Sequence, residues 1–241
     1  MATSTTILDQ VNDVLPEIGL PTLPSLVGNT NQTALRTLAL ANREGRFLAT
    51  HEWRILVKRH EITTASGGES YALPSDFKHF IDRTYWNDTN DEILWGPLSD
   101  IRWQADLSGL TTTYVNDTFQ IRADGNENRL HIRPIPTGAE TLTFFYVADS
   151  WIRSKGGTRQ SEIKADTDVF LLDHMTFELG LKWRLLRAQR REWQTEFAEY
   201  EREKNKALAR DGGNMPSRIL GPVEDSNWPA SGRVPETGFG S

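Results

Sequence analysis

Closely spaced acidic residues are the first candidates for chemistry in this sequence. The segment ADTD (165–168) contains Asp166 and Asp168, and the segment NDTNDE (87–92) supplies three more carboxylates. Such groups could hold a hard cation or, facing each other across a cleft, act as the acid and base of a glycosidase. Anions also stabilise the free N–H groups at a helix start, and polar residues favour turns. We interpret ADTD as a helix cap and NDTNDE as a turn between strands, with a metal site and a carboxylate-dependent hydrolase as the alternatives.

Other signatures of catalysis are missing from the sequence. The five histidines are scattered, and no two have the i, i+4 spacing that places two imidazoles on one metal ion. With no cysteine, thiolate metal sites, disulfides and cysteine nucleophiles are excluded. The nucleophile elbow G-x-S-x-G and the glycine-rich phosphate-binding patterns do not occur. We therefore predict a protein that is not an enzyme, with no catalytic residue, no metal ligand and no cofactor.

Eight tryptophans suggest a different kind of binding, because flat rings stack on sugars and on unpaired bases. Trp183 and Trp193, however, fall on apolar helical stripes, and Trp53, Trp95 and Trp103 lie beside leucine or isoleucine at the ends of predicted elements. This placement favours packing in a core or between subunits. A carbohydrate-binding protein is kept as the alternative function.

A basic cluster near the C-terminal end is the strongest charge feature. Its members, with no acid among ten residues, are Lys182, Arg184, Arg187, Arg190 and Arg191. On a helix, three of the arginines share the face opposite Leu179 and Trp183. The next segment is acidic, with Glu196, Glu199, Glu201 and Glu203. The cluster is explained by solvated charge, by contact with the acidic segment of a second copy of this chain, or by contact with DNA; we take the second as the candidate subunit interface.

Helical patterns occupy both ends of the chain. Thr6 and Asp9 fit a capping box before a first helix, which Pro16 must end or kink. A second helix over about 31–53 carries small residues on one stripe, as expected for a close helix–helix contact. A third begins near Asp166 and breaks near Arg190, and a fourth follows.

Period-two alternation dominates residues 55–150 instead. RHEITTASGGESYAL (59–73) is typical of a hairpin, and Asp124-Gly125 predicts a second one. TLTFFYVA (141–148) has bulky residues on both faces, which indicates a strand buried on both sides. SDIRWQADL (99–107) predicts a short helix with a serine cap, and YALPSDF (71–77) predicts a corner at which a strand stops.

These patterns predict an α+β fold. Its helical bundle comprises residues 1–54 and 160–210, an antiparallel β-rich domain is inserted at 55–159, and residues 211–241 form an extended C-terminal arm. The arm has six glycines and four prolines, too many for it to bury a core alone. Its apolar residues favour an arm that orders on a partner, and they are Ile219, Leu220, Trp228 and Phe239. No signal peptide or membrane span is predicted, and a net charge of −6 argues against broad adhesion to nucleic acid.

The order of these pieces resembles the head-to-tail adaptors of tailed bacteriophages, the group called tail tubular protein A in short-tailed phages. The matching segments are VLPEIGLPTL, GRFLATHEWRIL, YALPSDF, LWGPLSDIRWQ, RLHIRPIPTG, LTFFYVADSWI and IKADTDVFLLDHMTFELGLKWRLL. The resemblance implies a structural virion protein of the phage neck, assembled in the host cytoplasm without a membrane. It further implies a homo-oligomeric ring, of twelve copies in that group, between the portal protein and the tail nozzle or tube. DNA would then pass through the lumen without sequence-specific binding. The final 31 residues depart from the pattern of the group, and we expect this C-terminal arm to dock on the portal. The carbohydrate-binding alternative becomes, in this setting, a module of a phage tail or surface-recognition protein.

Overall fold

The computed structural model describes residues 5–108, 117–125 and 127–212. This part of the chain contains five α-helices: α1 (Ile7–Glu17), α2 (Gln32–Leu48), α3 (Asp100–Leu107), α4 (His174–Ala188) and α5 (Gln194–Arg210). Its longer strands are β1 (Val57–Thr63), β2 (Ser70–Ala72), β3 (Phe77–Phe80), β6 (Thr118–Asp124), β7 (Glu127–Arg133) and β8 (Thr141–Ala148). Two-residue strands are β4 (Trp86–Asn87), β5 (Glu92–Ile93), β9 (Ile152–Arg153), β10 (Arg159–Gln160) and β11 (Val169–Phe170). All named strands pair antiparallel, so the predicted α+β class with antiparallel sheets is confirmed.

The strand β8 organises the largest sheet. It pairs with all seven residues of β1 on one side and with β3 and β4 on the other. Its burial on both faces is confirmed except at Phe145, which is 40% exposed. A second sheet has the order β2-β7-β6, and a third the order β10-β9-β11. The hairpin predicted at Asp124-Gly125 is confirmed, because β6 and β7 pair through a turn in which Gly125 has φ of 64°.

The hairpin predicted for residues 59–73 is wrong. The strand β1 pairs with β8, whereas β2 pairs with β7 in another sheet. The connecting turn binds a distant loop instead: the N–H of Thr64 donates to the carbonyl of Glu140 at 2.8 Å, and the N–H of Gly67 to that of Pro136 at 2.9 Å. Alternation and a Gly-Gly turn are local signals, and they do not specify the strand with which each arm pairs.

The proline corner joins these sheets. The N–H of Phe77 donates to the carbonyl of Pro74 at 2.9 Å, which turns the chain from β2 into β3. The carboxylate of Asp76 in this turn accepts hydrogen bonds from Lys58 Nζ at 2.5 Å and from the Tyr146 hydroxyl at 2.9 Å. Partial burial opposes ionisation of Asp76, but these two hydrogen bonds lower its pKa below the ordinary value. The corner therefore holds β1 and β8 together through one charged residue.

The ends of the helices follow local rules at some positions only. Thr6 and Asp9 form the predicted capping box, and α1 ends one residue after Pro16. The break predicted near Arg190 is confirmed, with Arg190 in the left-handed region at φ of 58°. Ser99 occupies the N-cap position of α3, but its hydroxyl makes no capping hydrogen bond. The start predicted near Asp166 is wrong: α4 begins at His174 behind the N-cap Asp173.

Two hydrophobic cores form within the described residues. The first gathers α1, α2, α4 and α5 with Trp151 and β11, and each of the other three helices contacts α4. The second lies in the β-rich part, and four of its ten buried members are aromatic: Tyr85, Phe119, Phe144 and Tyr146. Val147 of β8 belongs to the first core while its neighbours on the strand belong to the second. The strand β8 therefore connects the two.

Candidate subunit-contact surface

The acidic segments considered for chemistry have structural partners. Asp166 accepts hydrogen bonds from the backbone N–H groups of Leu26 and Val27 at 3.0 and 2.7 Å. Asp168 is buried and accepts from the N–H groups of Lys164 and Ala165 at 2.8 and 2.9 Å. Both carboxylates hold loops in place and neither caps α4, so the helix-cap interpretation is corrected. Within the described part of the chain, no group of acidic and histidine side chains could hold a metal ion.

The interpretation of NDTNDE as a turn is confirmed, because it joins β4 to β5. Asp88 in this turn pairs with Arg59 Nη2 at 2.7 Å and accepts from the Thr143 hydroxyl at 3.1 Å. These contacts tie the turn to β1 and β8. Asp88 therefore pairs with a base and a hydroxyl, and not with the second carboxylate that a glycosidase would need.

Arg184, predicted as part of the candidate subunit interface, lies inside the fold. Its Nε donates to the carboxylate of Glu44, which is completely buried between α2 and α4. Burial raises the pKa of Glu44 against the pull of the guanidinium. Gly180 makes room for this pair, since a Cβ at that position would overlap the Glu44 carboxylate. Burial and the same carboxylate raise the pKa of Tyr200 on α5.

Sequence reasoning missed Glu44, although the sequence carries a signal for it. Glu44 lies on the same helical stripe as Thr37, Ala41 and Leu48, seven, three and four residues away. An acid in the middle of a small and apolar stripe is costly to bury unless a base faces it. The stripe on the facing helix supplies that base as Arg184.

Two further basic residues bind the end of α1. Lys182 Nζ pairs with Glu17 at 2.8 Å, and Arg191 Nη1 donates to the carbonyl of Ile18 at 2.5 Å. These contacts close the fold within one chain. They leave Arg187 and Arg190, both exposed, as the members of the cluster that face solvent; Arg187 lies 5.4 Å from the centre of the Trp193 ring.

The acidic residues of α5 likewise include one with ion-pair partners in the same chain and two without such partners among the described residues. Glu203 pairs with Lys206 at 2.6 Å and lies 3.8 Å from Arg210. Glu196 and Glu199 have no ion-pair partner among the residues that the structure describes, and Glu199 is exposed. We call Arg187, Arg190, Glu196 and Glu199 the contact surface. The four predicted arm residues Ile219, Leu220, Trp228 and Phe239 lie outside the described residues.

The tryptophans give little support to carbohydrate binding. Among the seven in the described ranges, Trp53, Trp103, Trp151 and Trp183 are buried and Trp86 and Trp193 are half-buried. Only Trp95 of these seven is exposed, at 57%. A sugar-binding sheet would need several exposed rings. The other six are buried or half-buried within the described part of the fold.

These features define an α+β protein with two hydrophobic cores and a charged contact surface at the α4–α5 turn. A family model described as SU10 adaptor protein matches residues 2–226. This chain belongs to the SU10 adaptor protein family, and it is a phage adaptor. A comparison with curated proteins gives no match. No helix in the described ranges is both long and apolar enough to cross a membrane.

Proposed function

We propose that this adaptor is one subunit of a closed ring that joins the portal protein to the tail nozzle or tube, in the manner of tail tubular protein A. Twelve copies form the ring and DNA passes through its centre. Membership of the adaptor family is the observation that carries the proposal. In this assembly, residues 1–54 and 160–210 act as a helical bundle, residues 55–159 as an inserted β-rich domain, and residues 211–241 as the arm that docks on the portal.

Ring closure requires two unlike faces on each subunit, because one head-to-tail contact is repeated until the rotation closes. The contact surface contains both signs of charge, with Arg190 on one side of the α4–α5 turn and Glu196 and Glu199 at the start of α5. Charges that lack partners within a chain are available to a neighbour, and opposite charges favour encounter in one register. Arg187 and Arg190 of one copy therefore face Glu196 and Glu199 of the next.

The net charge of −6 is compatible with passage of DNA through the ring. A lumen that attracted phosphates at many points would bind DNA through counterion release and hold it in place. A predominantly acidic subunit avoids this adhesion. The genome can then slide through the ring in either direction without base readout.

Charge reversal tests the subunit contact. We expect Arg190→Glu to reduce ring assembly strongly, Glu199→Lys to do the same, and the double variant to recover assembly, because opposite charges are restored across the contact. Native mass spectrometry of the protein mixed with its portal measures the number of copies bound. The portal must be present in the mixture, because the ring can assemble on the portal even if the protein alone stays monomeric in solution.

Lys206→Glu is the matched control, because this exposed residue on α5 already pairs with Glu203 in the same chain. We expect it to leave assembly unchanged. If both single reversals assemble normally, the contact surface is not the subunit interface. A protein that stays monomeric with its portal and is missing from the virion neck would overturn the ring itself.

A further inference from the structure

The exposed side of α2 carries charge of one sign. At about 100° per residue, Arg36, Arg43 and Arg46 project within about 80° of one another, and all three are exposed. Leu35 and Phe47 lie at the two edges of this arc and are 54% and 39% exposed. We call these five residues the basic face. It combines three guanidinium groups with two apolar side chains that water reaches.

The arginines of the basic face meet no acid within the described ranges. The only acid of α2 is Glu44, which is completely buried and paired with Arg184. No ion pair joins Arg36, Arg43 or Arg46 to a described carboxylate. The helix dipole stabilises a cation only near the C-terminal end, and Arg36 lies four residues after the start of α2. The charge on this face is therefore available to a partner.

The exposed side of α1 carries the opposite charge. Asp9, Asp13 and Glu17 recur every four residues, so they project within about 80° of one another, and all three are exposed. We call them the acidic face. The helix contains no lysine or arginine, and of the three acids only Glu17 has an ion-pair partner among the described residues, Lys182 of α4. Burial and the nearby carboxylates of Asp13 and Glu17 raise the pKa of Glu178, so the chain does not neutralise this face by itself.

The two faces lie on opposite sides of the bundle. Lys182 of α4 pairs with Glu17 on α1, whereas Arg184 pairs with Glu44 on α2. Two residues along a helix correspond to a rotation of about 200°, so α1 and α2 pack on opposite sides of α4. Gly180, one turn before Arg184, lies against the same Glu44 carboxylate and agrees with this placement. The outward sides of α1 and α2 therefore point away from each other.

We propose that the basic face of one copy binds the acidic face of a second copy of this chain. The lengths match, at about 15 Å from Arg36 to Arg46 and about 12 Å from Asp9 to Glu17, and opposite charges favour one register. Arginine beside an exposed phenylalanine is typical of a protein interface, whereas phosphates are bound by cations with polar side chains. Unlike faces on opposite flanks are what a head-to-tail contact requires. This inference rests on the proposed ring and adds a second pair of faces to the contact surface at the α4–α5 turn.

Disulfide formation between two single-cysteine variants tests the location, because the chain has no cysteine of its own. Arg43→Cys and Asp13→Cys, each central to its face, are mixed in the presence of the portal. We expect the mixed disulfide to form about tenfold faster than a bond between two copies of either variant, because a head-to-tail contact joins unlike faces. In the matched control Lys206→Cys, an exposed position on α5, replaces Arg43→Cys. Peptide mapping identifies the bond, and native mass spectrometry of the same sample counts the copies on the portal.

This experiment separates failure of the two faces from failure of the ring. Equal rates for Asp13→Cys with Arg43→Cys and for Asp13→Cys with Lys206→Cys, on a portal that carries its full set of copies, would overturn the faces and leave the ring. Bonds that form only between two copies of Arg43→Cys would show a two-fold contact and overturn the head-to-tail arrangement. A natural chain that leaves the portal without bound copies would overturn the ring and this contact together.

A charge exchange tests the chemistry. We expect Arg43→Glu and Asp13→Lys each to lower the fraction assembled on the portal about tenfold at limiting protein concentration, and the double variant to recover it, because opposite charges meet again. Arg43→Lys keeps the charge and should assemble like the natural chain. A circular dichroism spectrum of each variant separates these effects from loss of the fold. Lack of recovery in a folded double variant contradicts the proposed pairing, and loss of binding to a DNA duplex in Arg43→Glu without that recovery would assign the basic face to DNA.

Discussion

The two hydrophobic cores of this adaptor are built in different ways. In the helical core, glycines let large or charged groups approach closely: Gly45 lies against the Trp151 ring and Gly180 against the Glu44 carboxylate. In the β core, aromatic rings contact one another, and Phe119 lies 4.6 Å from Tyr85 and 5.8 Å from Phe80 between ring centres, in edge-to-face arrangements. Close approach at a glycine is not confined to the helical core, because Gly96 lies against Phe119 of the β core. The cores differ in what the glycines admit: a tryptophan ring and a carboxylate in the helical core, and a phenylalanine ring within an aromatic cluster in the β core.

The cores also differ in where they place charge. The helical core contains a completely buried carboxylate on Glu44, paired with Arg184. The β-rich part keeps its charged network at the margin, where Asp76 and Lys58 are each about one quarter to one third exposed, at 25% and 33%. A buried charge is tolerated only with its partner, whereas a marginal one is partly solvated. Breaking the two pairs should therefore have unequal effects.

The largest effect is expected for Arg184→Met, which leaves Glu44 buried without its base. We expect the free energy of unfolding to fall by about 3–5 kcal/mol. The unpaired Glu44 has a folded-state pKa further above its unfolded value, so the folded form binds the proton better, and the loss relative to the natural chain should shrink as the pH falls toward the ordinary glutamate range. Urea unfolding at neutral and mildly acidic pH measures both quantities.

Lys206→Met is the control for this pair, because it removes an exposed partner from Glu203. It should leave the unfolding midpoint unchanged at both pH values. Glu44→Leu combined with Arg184→Met should recover much of the loss, since replacement of both partners removes the stranded charge. Equal destabilisation by Arg184→Met and Lys206→Met would mean that burial of the ion pair does not set its contribution to stability.

A smaller effect is expected for Gly45→Ala, which adds one methyl group against Trp151. The new Cβ would overlap the ring, so the helix or the ring must move, at a cost of about 1–3 kcal/mol. Thermal unfolding measured by circular dichroism gives the change. Gly138→Ala is the matched control, because a Cβ there meets nothing within 4 Å and should be neutral or slightly stabilising. Equal destabilisation by the two substitutions would contradict the close approach of Gly45 to Trp151.

The smallest effect is expected for Asp76→Asn at the margin of the β-rich part. We expect a loss of about 1 kcal/mol at neutral pH, reduced from the value for a buried charged hydrogen bond because the group is partly solvated. The pKa of Asp76 is lowered in the folded chain, so its contribution is present above the unfolded pKa and disappears as the pH falls through the folded one. The natural chain and the variant should then converge in stability in acid. A difference that persists at low pH would show that Asp76 acts through packing rather than charge.

Part of the fold could be predicted from short stretches. The Thr6 and Asp9 capping box, the Asp124-Gly125 hairpin and the break at Arg190 are each specified within a few residues, and all three are confirmed. The start of α4 was misplaced because Asp166 and Asp168 resemble a cap but bond to loop N–H groups, including those of Leu26 and Val27 on a distant segment. An aspartate accepts hydrogen bonds from backbone N–H groups in the same way at the start of a helix and in a loop. Only the position of those N–H groups in the fold distinguishes the two cases.

The candidate site was predicted less completely than the elements that carry it. The sequence identifies the basic cluster and the acidic α5, but it places Arg184 in the candidate subunit interface, whereas the structure pairs it with Glu44, 140 residues earlier. Lys182 and Arg191 are likewise used at the end of α1. Charge and spacing along one helix predict which residues share a face. They do not predict which neighbour covers that face.

The sequence by itself determined the antiparallel α+β class, the turns and several helix boundaries, because these depend on hydrogen bonds and periodicities that operate over a few residues. Only the tertiary structure decided that β1 pairs with β8 rather than β2, that Glu44 meets Arg184, and that Arg190, Glu196 and Glu199 are left without ion-pair partners among the described residues. These outcomes are choices of partner between segments far apart in the chain, and such choices are made by burial and packing of the whole core.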